Sequence, residues 1–104
     1  MIARTWRGTA TAAKASDYQR HFMTSIAPHL AELEGHLGAY LLRREAGDAV
    51  EFVAVTLWES IESIKAFSGP DPAVAIVAPE GRAALSEFDE FARNYEVAFQ
   101  HVLG

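Results

Sequence analysis

Residues 50–58, Val-Glu-Phe-Val-Ala-Val-Thr-Leu-Trp, are apolar at both phases of a two-residue period. In an extended strand Val50, Phe52, Ala54, Thr56 and Trp58 face one way, and Glu51, Val53, Val55 and Leu57 face the other. A strand with two apolar faces must be covered on both. Helices of the same chain can cover one. The cheapest cover for the other is a second copy of the same sheet across a two-fold axis, because monomers rarely expose apolar patches of several hundred Å². The strand therefore predicts a homodimer packed sheet to sheet.

The flanking segments supply the other elements. Residues 2–9 mix β-branched, aromatic and charged residues near period two and read as a strand. A long helix is expected over 14–33, with Ser16 and Gln19 at capping-box spacing. At about 100° per residue, Tyr18, Phe22, Ser25, Ile26, His29 and Leu33 form its buried stripe. Pro28 predicts a kink near 24–28, and Gly35 ends the helix. Residues 36–46 and 50–58 form a hairpin around Gly47-Asp48. Ser60 caps a helix containing Ile61, Ile64 and Phe67, which Gly69-Pro70 breaks. Asp71-Pro72 reads as the start of a short helix over 73–78, stopped by Pro79 and Gly81. Residues 83–91 carry Leu85, Phe88 and Phe91 at spacing three and fit neither type cleanly. Residues 94–102 alternate as a last strand, with Tyr95, Val97, Phe99 and His101 on one face. The order β-α-β-β-α-β is the ferredoxin-like α+β pattern with a four-stranded antiparallel sheet.

With 104 residues, 50% hydrophobic and 22% charged, the chain is expected to form one domain over residues 1–104. There are no cysteines, which excludes disulfides, zinc–thiolate sites, iron–sulfur clusters and thiol nucleophiles. The net charge of −5 is carried by the second half, and neither half holds a basic stripe, so neither nucleic acid nor membrane is an expected partner. No apolar run approaches the roughly 20 residues of a membrane span, and residues 1–7 do not resemble a signal peptide. The expected compartment is the cytoplasm.

Among groups able to do chemistry, His29 sits on the expected buried stripe and is a candidate proton acceptor near neutral pH. Its alternative is a core histidine bonded to a backbone carbonyl. Arg4 and Arg7 lie on a strand expected to be central, where a cation could hold an anion. The alternative for both, preferred for Arg4, is an ion pair at the dimer interface with Glu51 or Glu96. Trp58, Phe22, Phe67 and Tyr18 are candidate walls of an aromatic pocket, and aromatic core is the alternative. His21, His29, His36 and His101 show no metal-ligand spacing, so no metal site is expected. Phosphate-loop, nucleophile-elbow and dinucleotide motifs are absent from the sequence.

Taken together, Met1-Ile2-Ala3-Arg4 with Trp6-Arg7-Gly8, the run Gly35–Arg44, Thr56-Leu57-Trp58-Glu59-Ser60 and Ile64-Lys65-Ala66-Phe67 resemble the antibiotic-biosynthesis-monooxygenase-like group of the dimeric α/β-barrel superfamily, over roughly residues 1–102. The resemblance implies face-to-face sheets in a dimeric barrel and a cavity between sheet and helices in each subunit. Haem-degrading members of the group carry an Asn, a Trp and a ligating His. The corresponding positions here are Arg7 or Trp6, Phe67 and about Val77, so that set is missing. Of the residues used by cofactor-independent quinone-forming members, Trp58 matches, while Ala54, Ile64 and Ala78 depart from the pattern.

The function expected on these grounds is that of a cofactor-independent monooxygenase-like protein acting on an aromatic or polyketide-like small molecule. His29 would be the base, Arg7 the anion stabiliser, and Trp58, Phe22, Phe67 and Tyr18 the substrate pocket. The alternative is a non-catalytic small-molecule binding module or a structural dimer. No cofactor is expected.

Overall fold

Strand β1 (Ile2–Thr11) and strand β3 (Ala49–Trp58) lie side by side at the centre of the sheet, as the two-faced pattern of β3 requires. The computed structural model describes residues 1–104. β1 pairs antiparallel with β3 from Ile2↔Trp58 to Thr11↔Ala49. β2 (His36–Ala46) closes the hairpin on β3, and Gly47 adopts a positive φ of 65° in the turn. On the far side of β1 lie two short strands, β4 (Glu87–Phe88) and β5 (Arg93–Glu96). These are the expected fourth strand, broken in two, so the sheet is the four-stranded antiparallel ferredoxin-like one.

The break is a bulge in which residues 89–92 oppose only Trp6 and Arg7. The surplus backbone does not stay unpaired. Ala75 N donates to Glu90 O and Ala92 N to Ala73 O, at 3.0 and 2.8 Å. Residues 73–75 thus run as an extended strap beside the bulge, which corrects the helix expected over 73–78. The Asp71 side chain accepts from Ala73 N at 2.9 Å and turns the chain instead of capping a helix. Pro79, expected as a stop, opens helix α4 (Pro79–Ala84) at its first position, where a missing N–H costs nothing. The last strand ends at Glu96 and not at 102: Val97 N donates to Met1 O, and no further residue of β1 remains to pair.

The long helix forms in three parts: α1 (Ala15–His21), a π-helical turn (Phe22–Ile26) and α2 (Ala27–Ala31). Pro28 has no N–H to give the preceding turn and its ring crowds that turn. The chain widens to accommodate it, and Ala27 N donates five residues back to Phe22 O. The wide turn also changes the phase of the helix. Tyr18, Phe22, Ile26 and Leu30 now share the inner face at spacings of four. His29, placed on the stripe by a uniform helical period, is exposed.

α3 (Ile61–Ser68) begins at Ser60, whose hydroxyl accepts from Ser63 N in a capping box. All helices pack on one face of the sheet. Trp6, Tyr18, Phe22, Val50 and Phe52 lie in the main core, and Leu30, Trp58 and Ile64 form a second cluster. The opposite face carries Tyr40, Leu42 and Tyr95, each at least half exposed, around the half-buried Val53, Val55 and Leu57. No helix is long and apolar enough to cross a membrane.

Candidate functional site

A cleft opens between the inner face of the sheet and the helices. β1 and β3 contribute Arg4, Trp6, Ala54 and Thr56 as its floor. The long helix contributes Tyr18, His21, Phe22, Ile26 and Leu30, and Phe67 of α3 closes one end. Residues 76–78 and Gly81 form the outer wall. The inner cleft is narrow, and ten of its 14 lining residues are hydrophobic. It continues into a wider outer recess bordered by His21, Ser25, His29 and Glu80. Gly81 keeps the wall close: a Cβ there would sit 3.3 Å from Val77 Cγ1 and 3.6 Å from the His21 ring.

Arg4 is the charged group of the floor and is only 5% exposed. Its Nη2 donates to Val74 O at 2.6 Å, its Nε has no partner, and its guanidinium carbon lies 5.3 Å from the centre of the Phe67 ring. Burial lowers its pKa from the ordinary arginine value. Behind it, Trp58 Nε1 donates to Thr56 Oγ1 at 2.8 Å. That hydroxyl in turn donates to Arg4 O at 3.5 Å. Tyr18 packs on Phe52 and Trp6, with ring centres 5.0 and 6.2 Å away. Burial pushes its phenol up to about 12, which keeps it neutral at physiological pH.

Phe22, Phe67 and Tyr18 line the cleft together. Trp58 is fully buried behind the floor, against Leu30 and Ile64, and forms no part of the wall. His29 borders the outer recess with its ring 6.2 Å from that of Phe67. Arg7 lies on the other face of the sheet, half exposed and paired with Glu51, which also takes Arg44. The pair lies within the chain, and the Arg7 guanidinium is across the sheet from the cleft.

Arg4, read in the sequence as an interface ion pair, instead faces the cleft, and no carboxylate of the chain pairs with it. The alternation of β1 held the signal: Arg4 shares its phase with Trp6 and Ala10, both core residues. His21 carries no role in the sequence pattern, yet it lines the inner cleft three residues after Tyr18 and one before Phe22. No cluster of three or more His, Asp or Glu side chains could hold a metal ion.

Solved structures share this fold along nearly the whole chain. A Bacillus cereus protein described as a candidate antibiotic biosynthesis monooxygenase is 18% identical, with a TM-score of 0.67 over 98% of this chain and 97% of that one. A mutant of MhuD with two manganese protoporphyrin IX molecules per active site is 25% identical, with a TM-score of 0.68 and complete coverage of both chains, 100% each. The haem-degrader MhuD from Mycobacterium tuberculosis, with two haems bound, is 21% identical, with a TM-score of 0.63 over 98% of this chain and 100% of that one. The sequence matches no curated protein. The family model described as antibiotic biosynthesis monooxygenase matches residues 1–79, more than half of the chain, and with the ferredoxin-like sheet and its helix-side cleft it establishes that the chain belongs to that family.

Proposed function

We propose that the chain is a monooxygenase-like protein that holds a flat aromatic or polyketide-like molecule in the helix-side cleft and directs its reaction with oxygen. The observation that carries this reading is the cleft itself: apolar and aromatic-walled, with one guanidinium on the floor and imidazoles at the rim. Such a reaction needs few groups. A phenol must lose its proton, the resulting anion must be held, and water must be kept from the ring carbon that meets oxygen. Arg4 takes the anion-holding role that the sequence suggested for Arg7, because Arg4 is the cation on the cleft side. His29 remains the proposed proton acceptor at the outer mouth, with His21 as its competitor deeper in. Phe22, Phe67 and Tyr18 hold the ring.

The step balances with oxygen as the sole co-reactant. A dihydroxynaphthalene and O₂ give a hydroxynaphthoquinone and water; a ring C–H becomes C=O and one oxygen atom leaves as water. Haem chemistry is a different matter. The outer wall formed by Ile76, Val77, Ala78 and Gly81 offers no iron-ligating side chain, and the imidazoles of the site, His21 and His29, lie on the long helix.

On the opposite face, Tyr40, Leu42 and Tyr95 support pairing of two copies sheet to sheet. This is the homodimer proposed for the active form, in a cytoplasmic setting. The test is oxygen uptake with dihydroxynaphthalene as probe, alongside the rise of quinone absorbance. Uptake that falls in His29→Ala or His21→Ala identifies the base. Saturable binding without oxygen consumption would replace catalysis by a binding role.

A further inference from the structure

Arg4 is the one charged residue buried in this fold, and no ion pair of the chain reaches it. The ion pairs use Arg7, Arg20, Arg44 and Lys65. The side chain is 95% buried, given its 5% exposure, and sits on the cleft floor. One of its nitrogens bonds to Val74 O and another has no partner. A neutral donor could hold Val74 equally well. A full positive charge taken out of water is costly unless a counter-charge or a good set of hydrogen bonds meets it. No acidic residue lines the inner cleft to provide one. The chain therefore supplies no counter-charge on the cleft floor.

We propose that the cleft selects aromatic molecules that already carry an oxyanion, of the class of aromatic carboxylates, and that Arg4 is the residue that determines this selectivity. The planar guanidinium suits a carboxylate better than a point charge would, since it offers a fork of donors. The Phe67 ring lies 5.3 Å from that guanidinium. With Trp6 and Phe22 it provides the apolar surface for the rest of the molecule. This inference rests on the reading that the cleft takes a flat aromatic molecule, and goes beyond it by fixing the charge of that molecule before any proton is moved.

The experiment compares naphthoate with its neutral isostere naphthamide, by titration against the intact protein with tryptophan fluorescence and calorimetry as readouts. Naphthoate is expected to bind at least about tenfold more tightly, since charge-assisted bidentate contacts are the stronger ones. Arg4→Met is expected to bring the ratio of naphthoate to naphthamide affinity close to one. Arg4→Lys, which keeps the charge and loses the fork, is expected to retain part of the preference. Equal affinity for acid and amide in the unaltered protein overturns the inference and leaves the aromatic cleft standing. A preference that survives in Arg4→Met overturns the role of Arg4. Failure of both probes to bind overturns the cleft reading and the inference with it. If Arg4→Met does not fold, the acid–amide ratio in the unaltered protein and in Arg4→Lys still decides the matter.

Discussion

Trp6 Nε1 donates to the carbonyl oxygen of Asp89 at 2.8 Å, which ties the floor of the cleft to the bulge in the edge strand. Asp89 N donates to Arg7 O at 2.9 Å beside it. The indole also packs on Tyr18 and Phe88, at 6.2 and 6.3 Å between ring centres. Trp6→Phe removes the donor and part of the ring. The expected loss is about 1–3 kcal/mol in urea unfolding, from the lost hydrogen bond and the smaller ring packed on Tyr18 and Phe88. Unchanged stability would mean that the strap over residues 73–75 holds the bulge alone.

The alternations in β1, β2 and β3 are enough to place the sheet, because a one-residue slip would turn the core out to solvent. Ser60 and Gly69 likewise mark both ends of α3, since capping depends on neighbours in the sequence. Two features depend on contacts that the sequence does not display. The π-helical turn before Pro28 decides whether His29 or Leu30 faces inward, and a uniform period puts the wrong one there. The strap over 73–75 is extended because the bulge at 89–92 offers it backbone partners from far along the chain. Arg4 and Arg7 differ by three positions on one strand, so one faces the cleft and the other Glu51. The phase that Arg4 shares with Trp6 and Ala10 is what tells them apart, and that much is legible in the alternation of β1.

Gly35 is a position where no side chain fits. Its φ is +87°, and a Cβ would lie 2.4 Å from Ser63 Cβ. Its carbonyl also accepts from Glu59 N at 2.8 Å, so the backbone cannot simply move away. Gly35→Ala combines left-handed backbone strain with a clash and is expected to cost about 2–4 kcal/mol. Thermal unfolding with Gly47→Ala as the reference isolates the clash, because Gly47 also has positive φ but nothing within 4 Å of its Cβ position.

Tyr18 gives an alkaline signature. Its phenol is raised by burial from 10.0 to about 12. In the unfolded chain the phenol ionises near its ordinary value, so the native state is the one that keeps the proton. The stability contribution is therefore complete below the unfolded value and falls as pH rises from there through about 12. The gap corresponds to roughly 3 kcal/mol. Tyr18→Phe should flatten the decline, measured by denaturant unfolding across that pH window, and an unchanged slope would assign the decline to other groups.

Glu51 gives the opposite signature in acid. It accepts from Arg44 Nε at 2.6 Å and from Arg7 on the outer face of the sheet. The hydrogen bonds from Arg44 and then Arg7 hold its carboxyl below the usual glutamate value. Its contribution is present above that value and is lost as pH falls through the lower, folded-state one. Glu51→Gln should lower the thermal midpoint near neutral pH and match the unaltered protein in acid. A constant difference at every pH would show that shape, not charge, is what Glu51 provides.

The stability of Arg4→Met separates a ligand-binding cation from a structural one. In the free protein the guanidinium is largely buried, makes one bond to Val74 O and leaves Nε unpartnered. Methionine has a similar reach, fills irregular apolar space and carries no charge to desolvate. Exchanging buried charge for apolar side chains of like volume is often neutral or stabilising. If Arg4 is kept for the ligand, the free Arg4→Met protein should unfold at the same temperature as the unaltered protein or above it. The order should reverse when naphthoate is present, because only the unaltered protein gains the binding free energy of the acid. A midpoint that drops in the free protein, with no added difference from naphthoate, would make Arg4 an anchor for the strap at Val74 and nothing more.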